Sequence, residues 1–182
     1  MAMFDTDDDQ DGPTGFPLKL APPAYIQALE RCWQATGYPG DRKACLIAID
    51  GLNGAGKTSF ATWLAWQIGT PCLSLDDFRE RREPPFTWRC DEINRLLASR
   101  LDRNRPVVME SVYVLDALRD LGRTADLLIY VESGDMEGTL LLSGIKAYAR
   151  RMNYPGRADV VVRWQGDGPL EYLPFQGAHS SE

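Results

Sequence analysis

The chain is short of basic charge, of histidine and of long apolar runs, and each shortage removes a class of function. Twenty lysines and arginines stand against 26 aspartates and glutamates, a formal charge of −6 at pH 7. Such a balance lacks the basic stripe that nucleic-acid binding requires, so polymers of phosphate are not expected partners. The lone histidine, His179, sits in a polar C-terminal stretch and is assigned no chemistry. No apolar run reaches the length that spans a bilayer, so no membrane partner is expected. The opening residues Met1-Ala-Met-Phe-Asp-Thr-Asp-Asp-Asp lack the basic and apolar regions of a secretory signal, and the expected location is cytoplasmic. Cys32, Cys45, Cys72 and Cys90 form no C-x-x-C pair, which predicts reduced thiols rather than a thiolate metal site.

What is present is ordinary globular material: 182 residues, 44% hydrophobic and 25% charged, enough for a single buried core. The composition divides it into a mobile acidic segment over 1–23, a folded domain over 24–166 and a tail over 167–182. Ile26, Leu29, Cys32 and Trp33 share a face of a helix predicted over 24–36, expected to pack on the outside of the domain. The run Ala44-Cys-Leu-Ile-Ala-Ile49 predicts a first strand. A helix over 57–68 follows, burying Phe60, Leu64 and Ile68, then a short strand over 71–75. Ile93, Leu96, Leu97 and Leu101 mark another helix over 91–103, and Val107-Val-Met109 a buried strand ending at Glu110. Two further strands are predicted over 126–131 and 158–162. The alternation predicts an α/β fold: a five-stranded, mostly parallel sheet in three layers, with helices on both faces.

Between the first strand and its helix lies Gly51-Leu-Asn-Gly-Ala-Gly-Lys57-Thr58, which fits the phosphate-loop pattern G-x-x-x-x-G-K-S/T at every fixed position. Glycines let successive backbone N–H groups curl around a phosphate, and the helix presents its positive end to the same anion. Gly51, Asn53, Gly54, Ala55, Gly56, Lys57, Thr58 and Ser59 are therefore the expected nucleotide-binding residues, with Lys57 on the β- and γ-phosphates and the Thr58 hydroxyl on Mg²⁺. The expected cofactors are ATP and Mg²⁺, with ATP against GTP left open.

In a parallel sheet, ligands bind beyond the carboxyl ends of the strands. The phosphate loop, Asp76-Asp77 and Glu110 all fall at such ends. Phosphoryl transfer needs a group that takes the proton of the attacking hydroxyl and a metal-bound carboxylate. Asp76 is the candidate base and a further metal contact; Glu110 is the candidate for Mg²⁺ or its water shell.

Together Gly51 to Thr58, Ser74-Leu-Asp-Asp-Phe-Arg79 and Val107-Val-Met-Glu-Ser-Val-Tyr113 resemble the phosphate-loop small-molecule kinases of the uridine kinase type, which include nicotinamide riboside, pantothenate and phosphoribulose kinases. The likeness extends to Ala125-Asp-Leu-Leu-Ile-Tyr-Val131 and Ala158-Asp-Val-Val-Val162, covering roughly residues 44–164. The resemblance implies a P-loop NTPase fold and transfer of a γ-phosphate to a hydroxyl of a nucleoside-, vitamin- or sugar-like molecule. The family's second strand ends in Asp-Asp/Ser-Phe-Tyr/His, whose first Asp is the base, and its third in Glu-Gly; these positions are Asp76 and Glu110 here. Asp77, Phe78, Arg79 and Tyr113 are the corresponding acceptor-side candidates, with Phe78 favoured over Phe86 and Trp88 for stacking.

The chain departs from that pattern. Arg79 replaces the Tyr or His after the Phe, and Ser111 the Gly after the acid. An arginine there suits a carboxylate or phosphate on the substrate. Few residues separate Asp77 from Val107, which leaves no base-recognition segment and disfavours uridine. The family's lid carries several arginines, yet Glu132 to Ile145 contains none, leaving Arg150 and Arg151, with Lys146, as the nearby cations. Gly138 and Gly144 weaken the helix expected there, by about 1 kcal/mol each relative to alanine. Trp164 is a candidate neighbour of the nucleotide base. Two other readings stay open: a catalytically weak nucleotide-binding regulatory protein, and a toxin kinase acting on a nucleotide sugar. Oligomeric state, a homo-oligomer included, is not set by these residues.

Overall fold

A computed structural model describes residues 21–80, 86–133 and 141–164. Most of the acidic segment, the tail with His179, and Gly138 lie outside the described residues, as does the side chain of Trp164. The elements are α1 (Pro23–Thr36), β1 (Leu46–Gly51), α2 (Lys57–Ile68), β2 (Cys72–Ser74), a 3-10 turn (Leu75–Phe78), α3 (Cys90–Leu101), β3 (Val107–Glu110), α4 (Val114–Asp120), β4 (Leu127–Ser133), α5 (Leu141–Arg151) and β5 (Val160–Trp164). The five strands form one sheet in the order β2-β3-β1-β4-β5. Every pairing is parallel, so all carboxyl ends lie on one edge.

Alternation along the strands splits the core into two faces. Ile47 and Ile49 of β1, Val108 of β3 and Ile129 of β4 join one core with Tyr25, Ala28, Leu29 and Cys32 of α1 and Phe60, Leu64 and Ile68 of α2. Leu46, Ala48, Val107, Met109 and Leu128 join the other, with Ile93 and Leu97 of α3 and Val114, Ala117 and Leu118 of α4. The three-layer α/β fold is thus the one expected. The first helix is more than an outer addition, because α1 packs on β5, β4 and α2 and supplies one wall of the first core. Leu96 was expected on the buried stripe of α3 but is 42% exposed. Ile93 and Leu97 are the buried residues of the stripe facing the sheet, with Cys90 and Leu101 packed beside them, and Leu96 is rotated about 100° from Leu97.

Register is held by two aspartates that precede strands. Asp126 accepts the Leu46 N–H at 2.7 Å and Asp159 accepts the Leu128 N–H at 2.8 Å. Each carboxylate satisfies an amide near the start of the neighbouring strand, and β5 begins at Val160, directly after Asp159. Among the described residues no helix is long and apolar enough to cross a membrane.

Candidate active site

β1 is buried along its whole length and delivers Gly51 to the sheet edge at φ +155°. A Cβ there would stand 2.2 Å from the Val131 carbonyl oxygen on β4, so only glycine allows the two strands to pair while the chain turns into the loop. Gly56 adopts φ +80° as the N-cap of α2. That helix has no side-chain cap and no acidic residue in its first turn, leaving its first N–H groups free for an anion. Ala55 is buried beneath the loop, while Asn53, Gly54, Gly56, Thr58 and Ser59 are exposed. Lys57 is only 6% exposed and its Nζ donates to the Leu52 carbonyl at 3.0 Å. Burial pulls the ammonium below its usual pKa; Glu110, Asp50 and Asp76 oppose this, and Arg79 adds to it.

Glu110, at the end of β3, is 3% exposed. Its Oε1 accepts from Ser74 Oγ at 2.6 Å and from Thr58 Oγ1 at 3.3 Å. Parallel pairing of Ser74 with Glu110 and of Glu110 with Ile49 brings β2, β3 and the strand before the phosphate loop into one register. The arrangement joins a hard carboxylate oxygen to the loop hydroxyl. Asp76, the third residue expected at the metal, has partners of its own. Its Oδ1 takes Arg79 Nη2 at 2.6 Å and the Ser111 hydroxyl at 3.3 Å. Among the described residues there is no group of three or more His, Cys, Asp or Glu able to hold a metal ion by itself.

The residues expected to face the acceptor lie in the turn after β2 and just after β3. Arg79 forms an antiparallel bridge with Trp88, flanked by Glu80 N–H to Thr87 and Arg89 N–H to Phe78. Its guanidinium lies 4.2 Å over the Phe86 ring. Phe86 tilts against Tyr113 at 5.2 Å and Tyr113 against Tyr148 at 4.6 Å. Phe78, favoured for stacking, packs against the second core, as Phe86 and Tyr113 also do, with Arg89 over its ring at 5.4 Å. Trp88 is a core residue. Asp77 is exposed and engages through its carbonyl, which accepts from Arg89 at 2.6 Å. Of the lid candidates, Arg150 is exposed, and Arg151 pairs with Asp116 at 2.7 Å and lies over Tyr148 at 5.6 Å. Arg81, Arg82 and residues 134–140 lie outside the described residues.

Asp50, Ser74, Ser111, Tyr148 and Tyr154 were not singled out as site residues. Asp50 is a 1%-exposed carboxylate beside Gly51. It accepts the Gly51 N–H at 2.7 Å, Tyr148 Oη at 2.5 Å and Tyr154 Oη at 3.3 Å. Burial raises its pKa to about 7, overcoming these donors and Lys57, all of which favour the charged form. Tyr148 also accepts the Leu115 N–H at 3.1 Å, joining α5 to the start of α4. A lone acid closing the apolar run Leu46–Ile49 was the available signal for Asp50. The thiols of Cys32, Cys45 and Cys72 are pushed up to about 12, 11 and 11, chiefly by burial, which keeps them protonated and inert.

A cavity of about 470 Å³ lined by Leu115, Arg119, Arg123, Met152, Arg157 and Asp159 shares no residue with the phosphate loop, Glu110 or Asp76. The convergence of loop, hydroxyls and carboxylates marks the strand-end edge as the candidate site.

No family model matches the chain, and no curated protein does. Among solved structures it is similar to one described as a possible uridine kinase from Bacillus stearothermophilus, with 15% identity and a TM-score of 0.51 over 76% of this chain and 96% of that one. It also aligns with a gluconokinase from Sinorhizobium meliloti at 20% identity and a TM-score of 0.45, over 71% and 87% of the two chains. The first likeness establishes the fold, a three-layer α/β architecture.

Proposed function

We propose that the protein is an ATP- and Mg²⁺-dependent phosphotransferase that moves the γ-phosphate to a hydroxyl of a small molecule. The observation that carries this reading is the division of labour between two carboxylates on neighbouring elements. Glu110 is buried against the loop hydroxyl, while Asp76 is 53% exposed beside the acceptor-side ribbon. In this reading the exposed one meets a substrate hydroxyl and the buried one faces the nucleotide. The fold similarity and the phosphate loop support the same reading.

The residues fit magnesium. Thr58 Oγ1 and Glu110 Oε1 are hard oxygens on one point, and Mg²⁺ is ordinarily held by one or two protein oxygens plus phosphates rather than by a protein cage. When bound, the ion neutralises charge on the phosphates. The backbone of residues 51–58 and Lys57 hold the polyphosphate. Asp76 takes the acceptor's hydroxyl proton; the acceptor oxygen bonds to the γ-phosphorus, and the bond from that phosphorus to the bridging oxygen breaks, releasing ADP with the electron pair. Ser111 fixes the carboxylate by donating to its Oδ1.

The test is incubation with Mg²⁺ and γ-labelled ATP against nucleosides, vitamins, sugars and sugar phosphates, with Asp76→Asn and Lys57→Ala in parallel. Transfer should be lost in both variants, with nucleotide affinity kept in Asp76→Asn. Turnover of Asp76→Asn within a few-fold of the parent would remove the base assignment. A second reading, nucleotide binding without transfer, is favoured by the pairing of Arg151 with Asp116 in a chain whose lid segment is poor in arginine. It predicts tight nucleotide binding, no acceptor, and no effect of Asp76→Asn.

A further inference from the structure

We propose that Arg79 makes this site selective for acceptors that carry an anionic group, a phosphate or a carboxylate, close to the hydroxyl that receives the phosphoryl group. The inference rests on the phosphotransferase reading and names its substrate class. Arg79 does not hang on a loose loop. Its backbone bridges to Trp88, and the bonds Glu80 N–H to Thr87 and Arg89 N–H to Phe78, each 2.9 Å, hold both sides of the ribbon. The side chain is 19% exposed and therefore largely stripped of water.

Its compensation is incomplete. A guanidinium has five N–H donors, and a charge taken out of water needs anionic or hydrogen-bonding partners to offset the desolvation. Among the described residues Arg79 has one carboxylate, Asp76 at 2.6 Å, and the face of Phe86 at 4.2 Å. Its Nε is buried and has no hydrogen-bond partner. Nε and Nη2 share one edge of the fork, the edge that grips a carboxylate or phosphate through two parallel bonds. Asp76 occupies only its Nη2 end.

Among the described residues the one carboxylate partner of Arg79 is also the group that must change charge. When Asp76 takes the hydroxyl proton it becomes neutral, and a guanidinium this buried would be left uncompensated. An anion delivered with the acceptor keeps it paired through that step. Charges meet at the same place: burial lowers the Lys57 ammonium's pKa against Glu110, Asp50 and Asp76, with Arg79 adding to the lowering, while burial and Asp116 raise the Tyr113 hydroxyl's against Arg79 and Arg151. Of the acids near Tyr113, Asp116 is already paired with Arg151. The chain's net charge of −6 opposes anions only at long range, where salt screens it beyond about 8 Å.

The test uses matched acceptors that differ in charge: glycerol, glycerol 3-phosphate and glycerate, and ribose, ribose 5-phosphate and ribonate. Their kcat/KM values are measured with Mg²⁺-ATP for the parent, Arg79→Gln and Arg79→Lys. Anionic members should exceed their neutral parents by roughly 10- to 100-fold, the scale of a hydrogen bond to a charged group. Arg79→Gln should erase the ratio mainly through KM, and Arg79→Lys should restore part of it. The phosphate and carboxylate arms tell the two anions apart. Equal use of neutral and anionic members, or a ratio unchanged in Arg79→Gln, would overturn the proposal while leaving the kinase standing. Equilibrium binding of inorganic phosphate, glycerol 3-phosphate and glycerate to protein filled with an unreactive ATP analogue is measured alongside. Arg79-dependent binding without turnover would support the anion site and count against transfer; absence of such binding, with no turnover, would overturn the anion site.

Discussion

Tyr148 and Asp50 lie 98 residues apart in the chain and 2.5 Å apart in space, the tyrosine hydroxyl donating to the carboxylate that opens the phosphate loop. Through this contact α5, the element that carries Arg150 and Arg151, is fastened to the residue before Gly51. Tyr154 adds a second hydroxyl and stacks on Tyr130 of β4 at 4.5 Å. The carboxylate therefore ties three segments together at the edge where the nucleotide is proposed to bind.

The first prediction follows from its protonation. Asp50 is raised from 3.8 to about 7 by burial. Between those values the folded chain holds a proton that the unfolded chain releases. Stability from this group is therefore full below pH 3.8 and is lost as pH rises through about 7. The parent should lose more stability between pH 5 and pH 8 than Asp50→Asn, by at most about 3 kcal/mol, since a tenfold change in a protonation equilibrium is worth about 1.4 kcal/mol. Denaturant unfolding of both proteins at the two pH values measures it; parallel losses would refute the assignment.

A second prediction concerns the other end of the contact. Tyr148→Phe leaves Asp50 one donor short and the Leu115 N–H without its acceptor. The expected loss is about 1–3 kcal/mol. It should be felt unevenly, because α1 and α2 share a different core from the one behind α4. Hydrogen exchange should quicken in α5 and the first turn of α4 before it quickens in α1. A uniform increase would mean that the hydroxyl serves general stability and not the attachment of α5.

Ser74 supports a third. It holds Glu110 at 2.6 Å on the same oxygen that faces Thr58. Removing a group that orients a metal-binding carboxylate typically costs about 10- to 100-fold in metal affinity or activity. Ser74→Ala should raise the Mg²⁺ concentration needed for half-maximal transfer by that factor, with nucleotide affinity in the absence of metal unchanged. A Mg²⁺ requirement that does not move would leave Ser74 a structural residue only.

How much of this was legible in the sequence depends on how local each signal is. The bounds of α2 coincide with expectation because both are set by neighbours in sequence, Gly56 before Lys57 and the left-handed Gly69 after Ile68. β1 and β3 were legible as apolar runs that the parallel sheet buries on both faces. α4 was not foreseen, being seven residues long and docked through Val114, Ala117 and Leu118 on a core assembled from distant strands. Beside the strand ends, residue types were legible but contacts were not: Phe86 lies between Arg79 and Tyr113, a juxtaposition that no local pattern announces. Asp50 could be noticed as a charge in an apolar run, but its meaning lies in Tyr148 and Tyr154, which no local pattern connects to it.

A last prediction separates two reasons for glycine in the phosphate loop. Gly56 stands at φ +80° with nothing within 4 Å of where an added methyl group would sit, so Gly56→Ala meets only the backbone penalty of a left-handed residue, about 1–2 kcal/mol. Gly51 stands at φ +155° with the Val131 carbonyl oxygen 2.2 Å from where a Cβ would lie. Neither atom can yield cheaply, because Gly51 and Val131 are register partners of β1 and β4 in the centre of the sheet. Gly51→Ala must therefore part the strands or displace the loop, adding an overpacking cost of about 1–3 kcal/mol to the strain. Its denaturation midpoint should fall well below that of Gly56→Ala, and its nucleotide affinity should fall with it. Equal stability of the two variants would mean that β1 and β4 adjust at that point, and that the glycine is there for the phosphate alone.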